Sequence, residues 1–232
     1  MGTFDGVERG RDEFYKRVLA ESLSDRFGVA LLAGDAPAAE HVAQEALELS
    51  LGEALLYDLV VGPAMHRIGQ LWAAGEIGVA HEHLATQITT RVLVLAHELA
   101  GLRGHRAKHR AMFAAVEGEQ HVVALDMAAK LLDSAGYEVL ALGADVPTDA
   151  LPTIVADFEP AVFALSATMP ENGQRVRAAV DALTGAGAGL GLILGGTSIP
   201  ADLKLSPQVV VEPSVAGVVD AADGLVRRAR LN

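Results

Sequence analysis

Apolar residues in the first hundred positions recur at the spacing of α-helices. Gly34–Pro37 interrupts this pattern, with Asp35 placed to cap the next helix and Pro37 tolerated in its first turn. The pattern predicts a helix up to about residue 33 and others over about 37–48, 50–74 and 79–100. The apolar positions of the first helix are Phe14, Val18, Leu19, Leu23, Phe27, Leu31 and Leu32. Four helices with short connections favour an antiparallel four-helix bundle.

The start of the third helix carries a specific local signal. Ser50-Leu51-Gly52-Glu53 matches a capping box, in which the serine and glutamate side chains bond each other's backbone N–H groups. We therefore expect one uninterrupted helix from Ser50 to about Ala74.

The pattern changes after a polar linker at 101–110. Short apolar runs alternate with helical stretches, which predicts βαβ units and a parallel sheet covered on both faces. The predicted strands are 111–116, 137–142, 161–165, 190–194 and 208–211, and the predicted helices are 121–135, 148–158, 171–185 and 214–230. The sequence therefore predicts a helical domain at 1–107 and a flavodoxin-like (Rossmann-like), doubly wound domain of five parallel strands at 108–232.

Composition narrows the class of protein. The net charge is −12 and no basic block stands out, which argues against direct nucleic-acid binding. The absence of cysteine excludes disulfides and thiolate metal sites. The polar N-terminus lacks the apolar segment of a signal peptide, and we find no apolar stretch of membrane-spanning length. We expect a cytoplasmic protein that does not enter the membrane.

The loop after the first predicted strand carries the strongest chemical signal. His121 follows the strand 111–116 and opens an apolar-periodic helix, so it should lie at the carboxyl edge of the sheet, where ligands bind. Glu119, two residues earlier, can hydrogen-bond the imidazole and raise its basicity. The arrangement suits a histidine that holds a metal.

This loop resembles that of cobalamin-binding domains, whose signature is Asp/Glu-x-His-x-x-Gly. Two more pieces follow in the expected order: Ser166-Ala167-Thr168 stands at the place of the family's Ser-x-Leu, and Gly195-Gly196 at the place of its Gly-Gly. The resemblance implies that His121 is the lower axial cobalt ligand, displacing the cofactor's dimethylbenzimidazole. It also implies that the displaced nucleotide tail runs past Ser166, Thr168 and the two glycines.

A fourth piece lies in the helical half. Trp72 is separated by nine residues from Glu82-His83, which resembles the Trp-x9-Glu-His signature of CarH/LitR-type adenosylcobalamin photoreceptors. In that family these residues cover the upper face of the cofactor, at the 5′-deoxyadenosyl group. A tight turn between the third and fourth helices should bring Trp72 and the polar pair to the same end of the bundle.

The sequence departs from these families at three positions. Ala124 replaces the motif glycine and Thr168 replaces leucine. Ala73 follows Trp72, where such photoreceptors can carry a histidine that captures cobalt after photolysis. We expect a slightly shifted corrin from the alanine at 124 and a less permanently locked light state from the alanine at 73.

The resemblance implies a cobalamin-binding light sensor that uses adenosylcobalamin and signals through a homo-oligomer or a protein partner. The family usually places a MerR-type DNA-binding domain ahead of the bundle, whereas this chain begins at the bundle. We therefore expect either a fragment of a longer protein or a protein that passes its signal to a partner. The alternative is a corrinoid carrier for methyl transfer, with methylcobalamin as cofactor; a storage or chaperone protein also stays open. We see no acid/base dyad and no nucleophile constellation, so we expect a protein that is not an enzyme. The lack of a G-x-G-x-x-G loop after the first strand argues against a nicotinamide site, and a mutase subunit would need a substrate barrel.

Overall fold

The structure is a computed structural model, and contacts divide the chain into two compact units, residues 1–102 and 103–232. It describes residues 4–101, 107, 109–186 and 189–230, with side chains from residue 14 onward. Within the predicted linker, residues 102–106 and 108 lie outside the described residues. Among the residues described, no helix is long and apolar enough to span a membrane.

The first unit is helical, as the apolar spacing predicts. Its elements are α1 (Phe4–Ala33), α2 (Ala36–Glu48), α3 (Gly52–Leu55), a π-helical stretch (Leu56–Val61), α4 (Gly62–Ala73) and α5 (Val79–Ala100). The cap predicted for the second helix is present, because the Asp35 carboxylate accepts a hydrogen bond from the Ala38 N–H at 3.0 Å.

The buried face of α1 is narrower than its apolar pattern. Leu23, Phe27 and Leu31 have 1%, 0% and 1% of their surface exposed, whereas Phe14 is 64% exposed and Val18 49% exposed. The N-terminal part of the apolar stripe therefore faces outward within this unit.

The capping box predicted at Ser50 is wrong. Ser50 has a positive φ of 60° and lies outside the helix, and the N-terminus of α3 has no side-chain cap. The predicted uninterrupted helix is also wrong, because a π-helical stretch separates α3 from α4. There the Gly62 N–H bonds the Tyr57 carbonyl, five residues back.

Glu53 is buried instead of capping a helix. Its Oε1 accepts a hydrogen bond from the Tyr57 hydroxyl at 2.7 Å and lies 2.8 Å from His97 Nδ1. The three side chains join the start of α3, the π-helical stretch and the last turn of α5. Burial and the Glu53 carboxylate both raise the pKa of Tyr57 above its ordinary value.

The second unit contains a five-stranded parallel sheet with the order β2-β1-β3-β4-β5, which confirms the predicted flavodoxin-like topology. Helices α6 to α9 connect and cover the strands. The strands are β1 (Arg110–Val116), β2 (Glu138–Val146), β3 (Val162–Ser166), β4 (Gly191–Gly195) and β5 (Val209–Val211). The helices are α6 (Val123–Ser134), α7 (Leu151–Phe158), α8 (Gly173–Ala186) and α9 (Val218–Ala229).

The two central strands fix the position of everything at their carboxyl ends. Residues Ala111–Val116 of β1 are all buried, as is every residue of β3. Such continuous apolar runs are typical of parallel strands covered on both faces. The loops after β1, β3 and β4 therefore emerge from a rigid core at one edge of the sheet.

We expect Tyr57→Phe to destabilise the helical unit by about 1–2 kcal/mol, because it leaves the buried Glu53 carboxylate short of a hydrogen bond. Because the pKa of Tyr57 is raised in the folded protein, the stabilisation from its hydroxyl should decrease at high pH. The stabilisation should be complete below about pH 10 and decline above it, as tyrosine ionises in the unfolded chain. Thermal unfolding followed by circular dichroism measures both effects. Tyr15→Phe is the control because Tyr15 is 64% exposed, and equal stability of the two variants at pH 7 would contradict this view of the network.

Candidate functional site

The loop between β1 and α6 is shaped by its backbone. Gly118 has a φ of 79°, which favours glycine, and its N–H donates to Asp145 Oδ1 at 2.6 Å. The Glu119 N–H closes a tight turn on the Val116 carbonyl at 2.9 Å. The helix after the loop begins at Val123, with Ala124 exposed in its first turn. The added methyl of Ala124 therefore meets solvent and not the protein core.

His121 is held by the carboxylate that the sequence pairs with it. Its Nδ1 lies 2.6 Å from Glu119 Oε1, and its backbone N–H donates to the same oxygen at 3.0 Å. Because a carboxylate only accepts, Nδ1 carries a proton, so Nε2 is the nitrogen that holds the lone pair in the neutral imidazole. The His121 side chain is 43% exposed and that of Glu119 is fully buried. His121 therefore has a partly exposed imidazole that is hydrogen-bonded to a carboxylate shielded from solvent.

The second oxygen of Glu119 is held by the loop after β3. Oε2 accepts hydrogen bonds from the Thr168 N–H at 2.7 Å, the Met169 N–H at 2.9 Å and Asn172 Nδ2 at 3.0 Å. Burial opposes ionisation of the carboxyl, but the hydrogen bonds from Met169, His121, Asn172 and Thr168 outweigh it and lower the pKa of Glu119 to about 2.

Asn172 is a site residue that the sequence analysis missed. Its side chain is 1% exposed and bonded to Glu119. The available signal was an asparagine placed between the end of β3 and the start of α8, which is the edge where His121 also lies.

Ser166 and Gly195 come together at the ends of neighbouring strands. Ser166 is the last residue of β3, where it pairs with Ala115 of β1 and Gly195 of β4. It is 5% exposed, so its hydroxyl lies within the edge of the sheet. A Cβ built on Gly195 would lie 3.7 Å from the Glu212 carbonyl oxygen, which is an ordinary contact, so the fold has room for a small side chain there.

Gly196 and Thr168 have structural roles in the turns that follow. Gly196 has a φ of 94°, and a Cβ there would lie 2.2 Å from the Ala167 carbonyl oxygen. The Thr168 carbonyl accepts hydrogen bonds from the hydroxyls of Thr197 and Ser198, both at 2.8 Å. Backbone packing of the two turns therefore accounts for glycine at 196 without any ligand.

The three residues predicted to cover the upper face of the cofactor, Trp72, Glu82 and His83, lie on either side of one connection between two helices. Trp72 lies in the last turn of α4, and Glu82-His83 in the first turns of α5, after the connection at residues 74–78. Trp72 is 40% exposed. Glu82 Oε2 lies 2.6 Å from His83 Nδ1, and Glu82 Oε1 accepts from the Thr86 hydroxyl at 2.9 Å. Both carboxylate oxygens are therefore used, and His83, 72% exposed, is the more accessible member of the pair.

Within the part of the chain that the structure describes, no group of three or more His, Asp or Glu side chains gathers to hold a metal ion.

Two family models match separate parts of the chain. Residues 23–95 match a family model described as a B12 binding domain, and residues 109–217 match a second model with the same description. The first range falls in the helical unit and the second contains His121. These two matches support a cobalamin-binding protein.

Relatives of two kinds share part of this sequence. The chain is 28% identical over 133 residues to the trimethylamine corrinoid protein of Methanosarcina barkeri, covering 56% of this chain and 61% of that one. It is 31% identical over 147 residues to the HTH-type transcriptional repressor CarH of Myxococcus xanthus, covering 63% of this chain and 48% of that one. The chain thus spans about half to three fifths of the length of these relatives.

A solved structure shares the fold. The monomethylamine corrinoid protein of Methanosarcina barkeri superimposes with a TM-score of 0.72 at 16% identity, covering 89% of this chain and 98% of that one. This likeness supports the arrangement of a helical unit followed by a Rossmann-like unit.

We expect Glu119→Gln to destabilise the sheet unit by about 2–3 kcal/mol at pH 7, because N–H donors then face an amide instead of a charge. The lowered pKa means that the carboxylate stabilises the fold fully above about pH 5 and that this contribution disappears as the pH falls toward 2. The difference between the two proteins should therefore shrink on acidification. Chemical unfolding at several pH values measures it.

The matched control is Glu117→Gln, which changes an exposed carboxylate in the same loop. If Glu117→Gln and Glu119→Gln were equally stable at neutral pH, the hydrogen bonds around Glu119 would not stabilise the fold in this way.

Proposed function

We propose that this protein binds adenosylcobalamin and acts as a light-responsive regulator, with its output a change in self-association or in binding to a protein partner. The observation that carries the proposal is the pair of carboxylate-held histidines, one in each B12-type unit. His121 is held by Glu119 at 2.6 Å, and His83 is held by Glu82 at 2.6 Å.

His121 fits the role of lower axial ligand. Imidazole suits cobalt, and an Nδ1 bonded to a carboxylate fixes the tautomer that leaves Nε2 available. The carboxylate is permanently charged at neutral pH, so it strengthens the imidazole as a donor. When bound, cobalamin supplies a cobalt–carbon bond whose cleavage is the chemical event of the system.

Ser166, Thr168, Gly195 and Gly196 are our candidates for holding the cofactor's nucleotide tail. Ser166 offers a hydroxyl at the end of a central strand, and the missing side chain of Gly195 leaves space beside it. Thr168 contributes through its backbone, which ties the tail region to Glu119. Gly196 supports the site indirectly, because it permits the turn that positions Gly195.

Trp72, Glu82 and His83 are our candidates for covering the upper face. The exposed part of the indole offers a flat apolar surface, as an adenosyl group requires. Glu82 orients His83, which can bond the sugar or the base through its remaining nitrogen. A bulky upper ligand favours the regulator over the carrier.

The alternative function is a corrinoid carrier that exchanges methyl groups with partner methyltransferases. The similarity to the trimethylamine corrinoid protein favours it. Neither function requires this chain to perform the turnover itself.

We expect His121→Ala to lose the base-off/His-on absorption spectrum of bound adenosylcobalamin and to bind the cofactor at least about ten-fold more weakly. Spectral titration in the dark measures both. His109→Ala is the control, because His109 precedes the amino end of β1, away from the carboxyl edge. A His-on spectrum that persists in His121→Ala would remove His121 from the ligand position.

We expect the wild-type chain to prefer adenosylcobalamin to methylcobalamin, and Trp72→Ala to reduce that preference by roughly ten-fold through loss of apolar contact. Leu99→Ala is the control, since Leu99 is 52% exposed at the opposite end of α5. Equal affinities for both cofactors, unchanged by Trp72→Ala, would support the methyl carrier.

The regulatory output is tested on the same preparations. Size-exclusion chromatography with light scattering, in the dark and after green light, should show a change in mass of the wild-type complex that Trp72→Ala weakens. An unchanged mass and unchanged binding to candidate regulators, despite a photolysed spectrum, would overturn the light-sensor proposal while leaving cobalamin binding intact.

A further inference from the structure

Arg175 of α8 lies against the His121 loop at the one loop position that has no side chain. A Cβ built on Gly118 would lie 1.5 Å from Arg175 Nη1 and 2.8 Å from its Cζ. The guanidinium therefore occupies the space that any other residue at 118 would fill. The positive φ of Gly118 favours glycine by itself, and a Cβ there would also displace the guanidinium.

The hydrogen bonds of Arg175 link it to two residues beside Glu119, the carboxylate that holds His121. Nη1 donates to the Glu117 carbonyl at 2.8 Å and to Asn172 Oδ1 at 3.2 Å. Fixing the amide oxygen of Asn172 turns its NH2 group toward Glu119, to which it donates at 3.0 Å. A reversed amide would place an oxygen against the carboxylate, which has no proton to share. Arg175 thus sets the orientation on which one bond to Glu119 depends.

Asp145, at the end of β2, holds the other side of the loop. Its carboxylate accepts from the Gly118 N–H at 2.6 Å, and its own N–H donates to the Glu119 carbonyl at 2.9 Å. Glu117, Gly118 and Glu119 are therefore held from two directions, by Asp145 of the edge strand and by Arg175 of α8.

We propose that Arg175 is a positioning residue for His121: it closes the loop over Gly118 and orients Asn172, so that the Glu119–His121 pair keeps one orientation before a ligand arrives. The proposal rests on the function of His121 as a cobalt ligand. It assigns Arg175 no contact with the cofactor.

The test compares Arg175→Ala and Arg175→Lys with Arg177→Ala, each in the 232-residue chain. Arg177 lies two residues further along α8 and pairs with Asp202, away from the loop. We expect Arg175→Ala to reduce the affinity of the His-on complex by roughly ten-fold, as loss of groups behind a metal ligand does. Arg175→Lys should restore part of it by reaching the Glu117 carbonyl without holding Asn172. Arg177→Ala should match the wild type.

A readout without cofactor separates positioning from general loss of structure. In the unliganded protein, hydrogen exchange of the amides of residues 118–121 should quicken in Arg175→Ala, while β1 and β3 keep their protection. If Arg175→Ala folds poorly, Arg175→Lys carries the same exchange measurement. Where Arg175→Ala folds, Gly118→Ala supplies a second route. Its effect on the His-on fraction should be smaller in the Arg175→Ala background, because the guanidinium that a Cβ would meet is gone.

The outcomes separate the two levels of the proposal. A wild-type protein that binds cobalamin without a histidine ligand overturns the proposed function of His121. The positioning role alone is overturned if the wild type is His-on and Arg175→Ala has the same spectrum, affinity and loop exchange. In that case the effects of Gly118→Ala and Arg175→Ala should also be additive.

Discussion

Glu119 is a charged side chain with no exposed surface, and such a group is stable only where hydrogen bonds replace the water it has lost. Five N–H groups do so here: the backbone and ring of His121, the backbones of Thr168 and Met169, and the Asn172 amide. They come from two separate loops, so satisfying this one carboxylate also fixes the distance between those loops. The placement of the imidazole follows from that requirement.

The parallel sheet makes this convergence possible. β1 and β3 are neighbours in register, with Ala115 opposite Ser166, so their following loops leave the core side by side. The edge strand β2 adds Asp145 to the same region, and α8 adds Arg175. A loop held by its neighbours in this way can present a ligand without first losing conformational freedom, which is why preorganised sites bind more tightly than mobile ones.

The parts of the structure that could be predicted are those governed by local periodicity. The five strands, the four helices of the second unit and the start of α5 follow from apolar spacing, and the Glu119–His121 contact follows from two residues in one loop. The place of Asn172 at the sheet edge could be predicted, but its hydrogen bond to Glu119 could not, because that bond depends on a distant loop folding over the carboxylate. The capping box predicted at Ser50 and Glu53 was wrong for a related reason. The spacing of the two residues fits a local cap, but Glu53 is buried against Tyr57 and His97 instead of capping the helix.

The π-helical stretch Leu56–Val61 has a consequence for how this chain could change by insertion or deletion. A π-turn holds one more residue than an α-turn, so removing a single residue from the stretch would leave a regular helix. Because the wider turn takes up the extra residue, α4 would keep nearly the same facing after that deletion, and Trp72 with it. A residue lost from the regular helix between Gly62 and Trp72 would instead turn the indole by about 100°. The chain can therefore lose one residue within Leu56–Val61 at little cost to the facing of the indole, but not within α4.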